Sequence, residues 1–315
     1  MSYSFLINEQ NWRSRLEPYL TQPIAVYKEA LTNNHYEGDV KGKATLNIIS
    51  IGELTYTDYT GADITFQDLT ESEQTFPVDQ AKYTAFKVDD PNQTTTEVNL
   101  VDQGSKKLAY QIGRMYDDYL AGLYTQIVTN VYGAGGSTAW SQGGYSGTGP
   151  VSVGFDNTAN QVLPSTALYA MRQIALQNNA MIDAPNIVIP VWLESMIRQE
   201  LGLRIGSLGD RIKMSGSISG AEAKDLSGFA GWNSIWVSNL VPNTNGGAYR
   251  VMGGNPDVAI TFASHLEKIE TLRIQAKFAT GIKALAVFGA KVPFEGHMAL
   301  GTFDIGSYLT NPRSY

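Results

Sequence analysis

Between Val40 and Val88 the chain alternates apolar and polar residues without gathering enough apolar side chains to bury. Val40, Gly42, Ala44, Leu46 and Ile48 interleave with Lys41, Lys43, Thr45 and Asn47. A period of two means a strand with one wetter face. Further strand-like pieces lie at Leu54–Tyr59, Ile64–Leu69 and Tyr83–Val88, separated by Gly61, Asp63 and the acidic run Glu71, Ser72, Glu73. An extended hairpin of this kind is marginal alone, and its open edges invite pairing with another chain.

The next segment of the chain is as unusual. Asp89, Asp90, Pro91 and Asn92 form a turn cluster, and Thr94 stands three residues before Glu97 as in a capping box. Apolar residues then recur at Val101, Leu108, Ile112, Met115, Tyr119, Leu123, Ile127 and Val131, mostly three or four apart. This predicts a helix from Glu97 to Tyr132, stopped at Gly133. Its length would be about 54 Å at ~1.5 Å per residue, which suits a spine better than a helix of a small core. Seven glycines between 133 and 149 make the next stretch a linker.

The flanks are simpler. Residues 1–37 are polar, broken by Pro18 and Pro23, with one short helical candidate at Ile24–Leu31. Beyond the linker, Pro164–Asn178 and Val191–Leu201 read as helices, and Asn186–Ile189, Ser234–Val237 and Val258–Phe262 as strands. Residues 206–231 are a Gly/Ser-rich loop. Leu266–Val292 reads mainly as strand, with Ile282, Ala284, Ala286, Phe288, Ala290 and Val292 on one face. No repeat of fixed period runs through the 315 residues.

Several chemistries are excluded or unsupported. With no cysteine there is no disulfide, thiolate metal site or cysteine nucleophile. His35, His265 and His297 are widely spaced, without an HExxH-like arrangement. Gly133–Ala134–Gly135 opens like a dinucleotide fingerprint, but Thr138 stands at the third glycine and the stretch comes after a helix. The pairs Asp89–Asp90 and Asp117–Asp118 read as a turn and as a solvated or interface salt bridge on the long helix, since adjacent helix residues do not share a face. A net charge of −7 argues against gripping nucleic-acid phosphates. Charged residues are 17% of the chain, below the ~25% typical of globular proteins, which fits a surface covered by partners and equally a polar monomer rich in Thr, Asn, Gln and Ser. Met1–Leu20 has no apolar signal core, and no uncharged run approaches a bilayer span. The expectation is a chain without catalytic residues, cofactor or metal, made in a cytoplasm and soluble there.

The order of these segments resembles the major capsid proteins of tailed bacteriophages, over roughly residues 38–305. Phe86–Lys87–Val88–Asp89–Asp90 before the long helix looks like the phrase that leads into that family's spine helix. Asp117 and Asp118 resemble its mid-helix acidic pair. Asn186–Ile187–Val188–Ile189–Pro190, Gly228–Phe229–Ala230–Gly231, Trp236 to Pro242 and Phe288–Gly289–Ala290–Lys291–Val292 are similar to its later signatures. The resemblance implies an α+β, Hong-Kong-97-type capsid fold: an N-terminal arm (1–37), an extended β-loop (38–88), a peripheral domain with the spine helix (89–154), an axial domain (155–262), and closing peripheral strands with the C-terminus (263–315).

It also implies function. The chain would self-assemble through pentamers and hexamers into the icosahedral head around the double-stranded DNA of a tailed phage. It would enclose DNA without sequence-specific binding, work with a portal, a separate scaffolding protein and a decoration protein, and contact no membrane. It would be assembled in the host cytoplasm and reside in the virion. Register between subunits would come from acids of the loop, Asp58, Asp63, Asp68, Glu71 and Glu73, facing Lys268, Arg273, Lys277 and Lys283 of the peripheral strands, with Lys82 and Lys87 as further interface candidates. Some family members crosslink covalently through lysines of this loop; Lys82 and Lys87 are present, but no motif assigns that chemistry. The alternatives are an encapsulin nanocompartment shell of the same fold, and a β-rich polysaccharide-acting enzyme or adhesin, suggested by 17 Tyr and 5 Trp.

Overall fold

The computed structural model describes residues 26–35, 45–51, 54–59, 61, 66–69, 71–90, 100–133, 149–155, 161–177, 184–203, 229–244, 247–274 and 278–305. Two mixed sheets share one main core, joined by a long helix. The first sheet has the order β1 (Thr32–Asn33), β11 (Ile260–Arg273), β12 (Ala279–Lys291), β4 (Gln80–Asp89). β11 and β12 form a long antiparallel hairpin, and β4 runs antiparallel to β12 from Ala279↔Asp89 to Phe288↔Gln80. On β12, residues 282, 284, 286, 288 and 290 are buried while Lys283 and Leu285 are exposed, so one face is dry and the other open.

Helix α2 (Leu100–Ala121) lies on the dry face. Leu108 and Ile112 pack with Ile282, Ala284 and Phe86. Further along, Tyr116 meets Phe262 and Phe288 edge-on, at centroid distances of 5.3 and 4.9 Å. The helix is shorter than its apolar spacing predicts. After Ala121 the chain tightens into a 3-10 turn (Gly122–Gln126) and becomes extended at Ile127, and Val131–Tyr132 is a strand, β5. Tertiary bonds take over there. Glu295 Oε1 accepts from the backbone N–H of Val128 (3.1 Å) and Thr129 (2.5 Å), and Asn130 Nδ2 donates to the carbonyls of Gly296 and Met298. The expected start at Glu97 and the Thr94 cap lie outside the described residues.

The second sheet has the order β5, β13 (Met298–Ile305), β10 (Ala248–Gly254), β7 (Asn186–Ile189), β8 (Ser234–Val237), with β6 (Val151–Val153) on β13 and β9 (Asn243–Thr244) on β10. Helices α3 (Pro164–Gln177) and α4 (Val191–Leu203) pack with it. Parallel β7 and β8 are separated in sequence by α4 and residues 204–233, a right-sized crossover. β5 and β6 come from residues 89–154 and β13 from residues 263–315, yet all three pair in the sheet built around residues 186–254, because the chain crosses between sheets at both ends. Likewise β4 leaves the 38–88 segment to complete the first sheet.

A short helix, α1 (Val26–Leu31), completes the core near the N-terminus, with Tyr27, Ala30 and Leu31 fully buried. Of the excursion, β2 (Thr45–Ile51) and β3 (Glu71–Pro77) form an antiparallel ladder from Thr45↔Pro77 to Ile51↔Glu71. Strands expected over 54–59 and 64–69 are not formed by the described residues 54–59 and 66–69. There the Gln67 side chain occupies the backbone: Thr55 N donates to its Oε1 (3.1 Å), and its Nε2 donates to Thr55 O (2.8 Å). A side-chain clip replaces the ladder.

Candidate interaction surface

The β2–β3 hairpin is seated on the open face of the first sheet, and two sequence choices allow it. Ile48, Phe76 and Ala263 form a small buried cluster with Val78 against it. Beside Ala263, at Gly289, a Cβ would come within 2.1 Å of Pro77 O and 2.9 Å of Val78 Cα. Gly289 is therefore the gap through which the hairpin's base crosses the sheet. Lys291 Nζ donates to Thr75 O (2.9 Å) at the same junction.

Beyond this junction the described apolar residues of the hairpin are largely exposed. Tyr56 is 97% exposed and Phe66 95%, and Leu54, Tyr59, Leu69 and Ile49 are also largely exposed. Aromatic side chains left this open in one segment mark a contact surface. Asp58 and Asp68 are exposed in the stretches joined by Gln67, and Glu71 and Glu73 are exposed on β3, across from Ile51 and Ile49. Together they form an acidic, aromatic projection.

The basic residues singled out from sequence lie mainly on the first sheet. Arg273 makes a two-pronged ion pair with Asp90, one arm at 2.9 Å. Lys87 Nζ is 3.9 Å from Asp89, and Lys283 Nζ is 2.6 Å from Glu270. These cations have partners within their own chain, so a contact with another chain has to share them. Lys82 places Nζ 5.9 Å from the Phe288 ring centroid. Lys268 sits in register with Leu285. Asp63 and Lys277 lie outside the described residues. Tyr83 (80% exposed), Leu285 and Leu272 leave apolar surface on the open face beside the paired charges.

One expectation is corrected. Asp117 is not a solvated or interface acid; it is 2% exposed. Its Oδ1 accepts from the N–H of Tyr27 (3.0 Å) and Lys28 (3.3 Å), capping the first turn of α1. Burial pushes its carboxyl up to about 6, against the opposing pull of those N–H groups. Burial, and then Asp117 itself, also raise the Tyr27 hydroxyl. Asp118 remains exposed. Sequence reasoning misses both Asp117 and Gly289. A glycine in an otherwise alternating strand is the available signal for the second.

Among the described residues no three His, Asp or Glu side chains converge on a possible metal site, and no helix is long and apolar enough to cross a membrane. No family model matches the sequence, and no curated protein does. Solved structures do match. A chain of Mycobacterium phage Che8 is 20% identical, with a TM-score of 0.62 over 87% of this chain and 90% of that one. A chain of the Cyanophage Pam1 capsid is 13% identical, with a TM-score of 0.58 over 94% and 93%. A chain from the capsid of a native GTA particle is 14% identical, with a TM-score of 0.58 over 96% of both. Taken as a whole, the chain thus has the mixed α+β, Hong-Kong-97-type fold of these phage capsid structures.

Proposed function

We propose that this chain is a major capsid protein that self-assembles through pentamers and hexamers into the icosahedral head enclosing the double-stranded DNA of a tailed phage. The observation that carries this is the hairpin: a capsid fold holds out a segment whose Tyr56 and Phe66 are almost wholly exposed. Buried against a neighbouring copy, those side chains gain what the single chain denies them. Each contact can be modest, because a closed shell engages many at once. In this reading the first sheet with α2 is the peripheral domain and the second sheet the axial domain. The acids Asp58, Asp63, Asp68, Glu71 and Glu73 meet cations of the neighbour's peripheral sheet, among them Lys82, Lys87, Lys268, Arg273 and Lys277. The chain acts as a structural subunit of the virion, without turnover, alongside a portal, a separate scaffolding protein and a decoration protein.

The test is expression of the chain alone, with sedimentation velocity and negative-stain microscopy of the same sample. Pentamers, hexamers or shells are expected, with nucleic acid rather than cargo protein inside particles recovered from an infected host. A persistent, well-folded 34.3 kDa monomer, even with crowding agents and divalent salt, would overturn the reading.

A further inference from the structure

Helices α3 and α4 form one layer on a single face of the second sheet. Tyr249, Val251 and Gly253 of β10 share that face, paired with Phe303, Gly301 and Ala299 of β13. Trp192 of α4 lies tilted against Tyr249, with ring centroids 5.4 Å apart. Met171 of α3 crowds Gly301, where a Cβ would come within 3.0 Å of its sulfur. The helices are fastened together where α3 starts and α4 ends: the N–H of Ser165 donates to Glu200 Oε2 (2.8 Å). Toward the sheet, Leu168, Met171, Leu193 and Ile197 are wholly buried.

The outward side of this layer lacks the charge of a wet surface. Tyr169 is 54% exposed, Leu176 and Val191 are each 47% exposed, and Leu163 is exposed just before α3 begins. Ser195 and Gln199 continue the exposed ridge of α4 from Val191. The charges of the two helices are engaged within the chain. Arg172, the one charged residue of α3, is half-buried with its guanidinium against Gly231. Glu194 and Arg198 pair with each other (2.8 Å), and Glu200 is buried under Ser165. Helix α2 shows the contrast: among its described residues the exposed ones are Lys107, Gln111, Arg114 and Asp118, a charged ridge. A helix apolar on both sides is one that is covered on both sides, and depletion of charge marks the centre of a protein interface.

We propose that a second copy of this chain covers the α3–α4 layer with its Val128 and Phe294, a contact separate from that of the hairpin; this rests on the shell reading above. A face without free cations does not suit nucleic acid, and a charged partner would leave its own charges buried and unpaired there. The chain itself carries a matching surface. Away from the hairpin, the first sheet and its β11–β12 turn, the exposed large apolar side chains among the described residues are those of the layer and the pair Val128 and Phe294. The carboxylate beside that pair, Glu295, is engaged by backbone: its Oε1 accepts the N–H of Val128 (3.1 Å), which holds Val128 next to the turn that begins at Phe294. Two unlike apolar patches on one chain are what a head-to-tail contact requires, and such contacts close into rings where the rotation allows.

Photo-crosslinking in the full-length chain tests it. The photoreactive residue p-benzoylphenylalanine would replace Tyr169, one exposed aromatic side chain for another. Assembled and unassembled fractions would be irradiated, and the crosslinked peptides mapped by mass spectrometry. The expected result is a covalent two-chain product, in the assembled fraction only, with the crosslink on residues 126–132 or 292–297 of the second chain. A crosslink between two layers, a crosslink only to residues 204–228 of the same chain, or assembled particles with no crosslink between chains would overturn the proposal and leave the shell reading standing. A chain that never associates would overturn both. A Leu176→Lys, Val191→Lys variant reads the same contact independently. It should unfold at the wild-type denaturant midpoint and lose closed particles, because each contact would bury two unpaired ammonium groups. A normal yield of particles from that variant would count against the contact as decisively as a missing crosslink.

Discussion

At Gly289 a single hydrogen atom decides whether the hairpin can cross the sheet. A methyl there meets backbone at 2.1 Å, and backbone cannot rotate away as a side-chain end can. Gly289→Ala should lift the base of the hairpin, break the Lys291–Thr75 contact and open the Ile48–Phe76–Ala263 cluster. Overpacking of this kind costs about 1–3 kcal/mol. Because the damage is local, limited proteolysis within residues 45–77 should speed up far more than the main unfolding midpoint falls. Equal proteolysis of the two proteins would mean that the hairpin is not seated here. The residue scale is also where sequence reading is weakest. Asp117 sits in a helix pattern with a second acid beside it and a solvated spacing, and nothing in the chain says that Tyr27 and Lys28, about ninety residues earlier, will point their N–H groups at it. Long-range capping is invisible to local pattern.

At the scale of elements, legibility depends on how far an element's form is set by its neighbours. β7 and β8 have the bounds their short apolar runs predict, and α3 and α4 end within two residues of expectation. β13 escapes the sequence reading: Met298–Phe303 is buried on both faces, so it shows no alternation for a period-two search to find. The long helix reads too long because Leu123, Ile127 and Val131 keep helical spacing, while Glu295 and Asn130 divert the backbone into the second sheet. One element-scale prediction concerns the helix itself. Gly104 sits mid-helix, where alanine is ordinarily better by about 1 kcal/mol. A Cβ at Gly104, however, meets the Phe86 ring of β4 at 2.3 Å. Gly104→Ala should therefore destabilise the unassembled chain by about 1–2 kcal/mol. In a Phe86→Leu background the sign should reverse, to a gain of up to about 1 kcal/mol. Denaturant unfolding of the four proteins in a double-mutant cycle measures this coupling. Additive effects would show that helix and strand are not in contact at that point.

For the molecule as a whole, the question is whether the bare hairpin serves folding or association, and the two make opposite demands on the same residues. Tyr56 and Phe66 are 97% and 95% exposed, so truncating them removes almost nothing from the single chain, and surface changes of this sort stay within about 0.5 kcal/mol. A double Tyr56→Ser, Phe66→Ser variant should unfold at the wild-type denaturant midpoint yet give few or no closed particles by sedimentation and microscopy. Glu71→Lys with Glu73→Lys should do the same by a different force, reversing the sign of the projection against cations that Asp89, Asp90 and Glu270 already partly satisfy. The two forces separate by salt. Charge contacts between exposed groups fade as the screening length shrinks to about 3 Å at 1 M, whereas sulfate strengthens apolar burial. Assembly of the lysine variant should therefore recover in part at high sulfate, and that of the serine variant should not. Normal shells from both variants would mean that the hairpin is not the contact, and the exposed face around Tyr83, Leu285 and Leu272 would become the next surface to mutate.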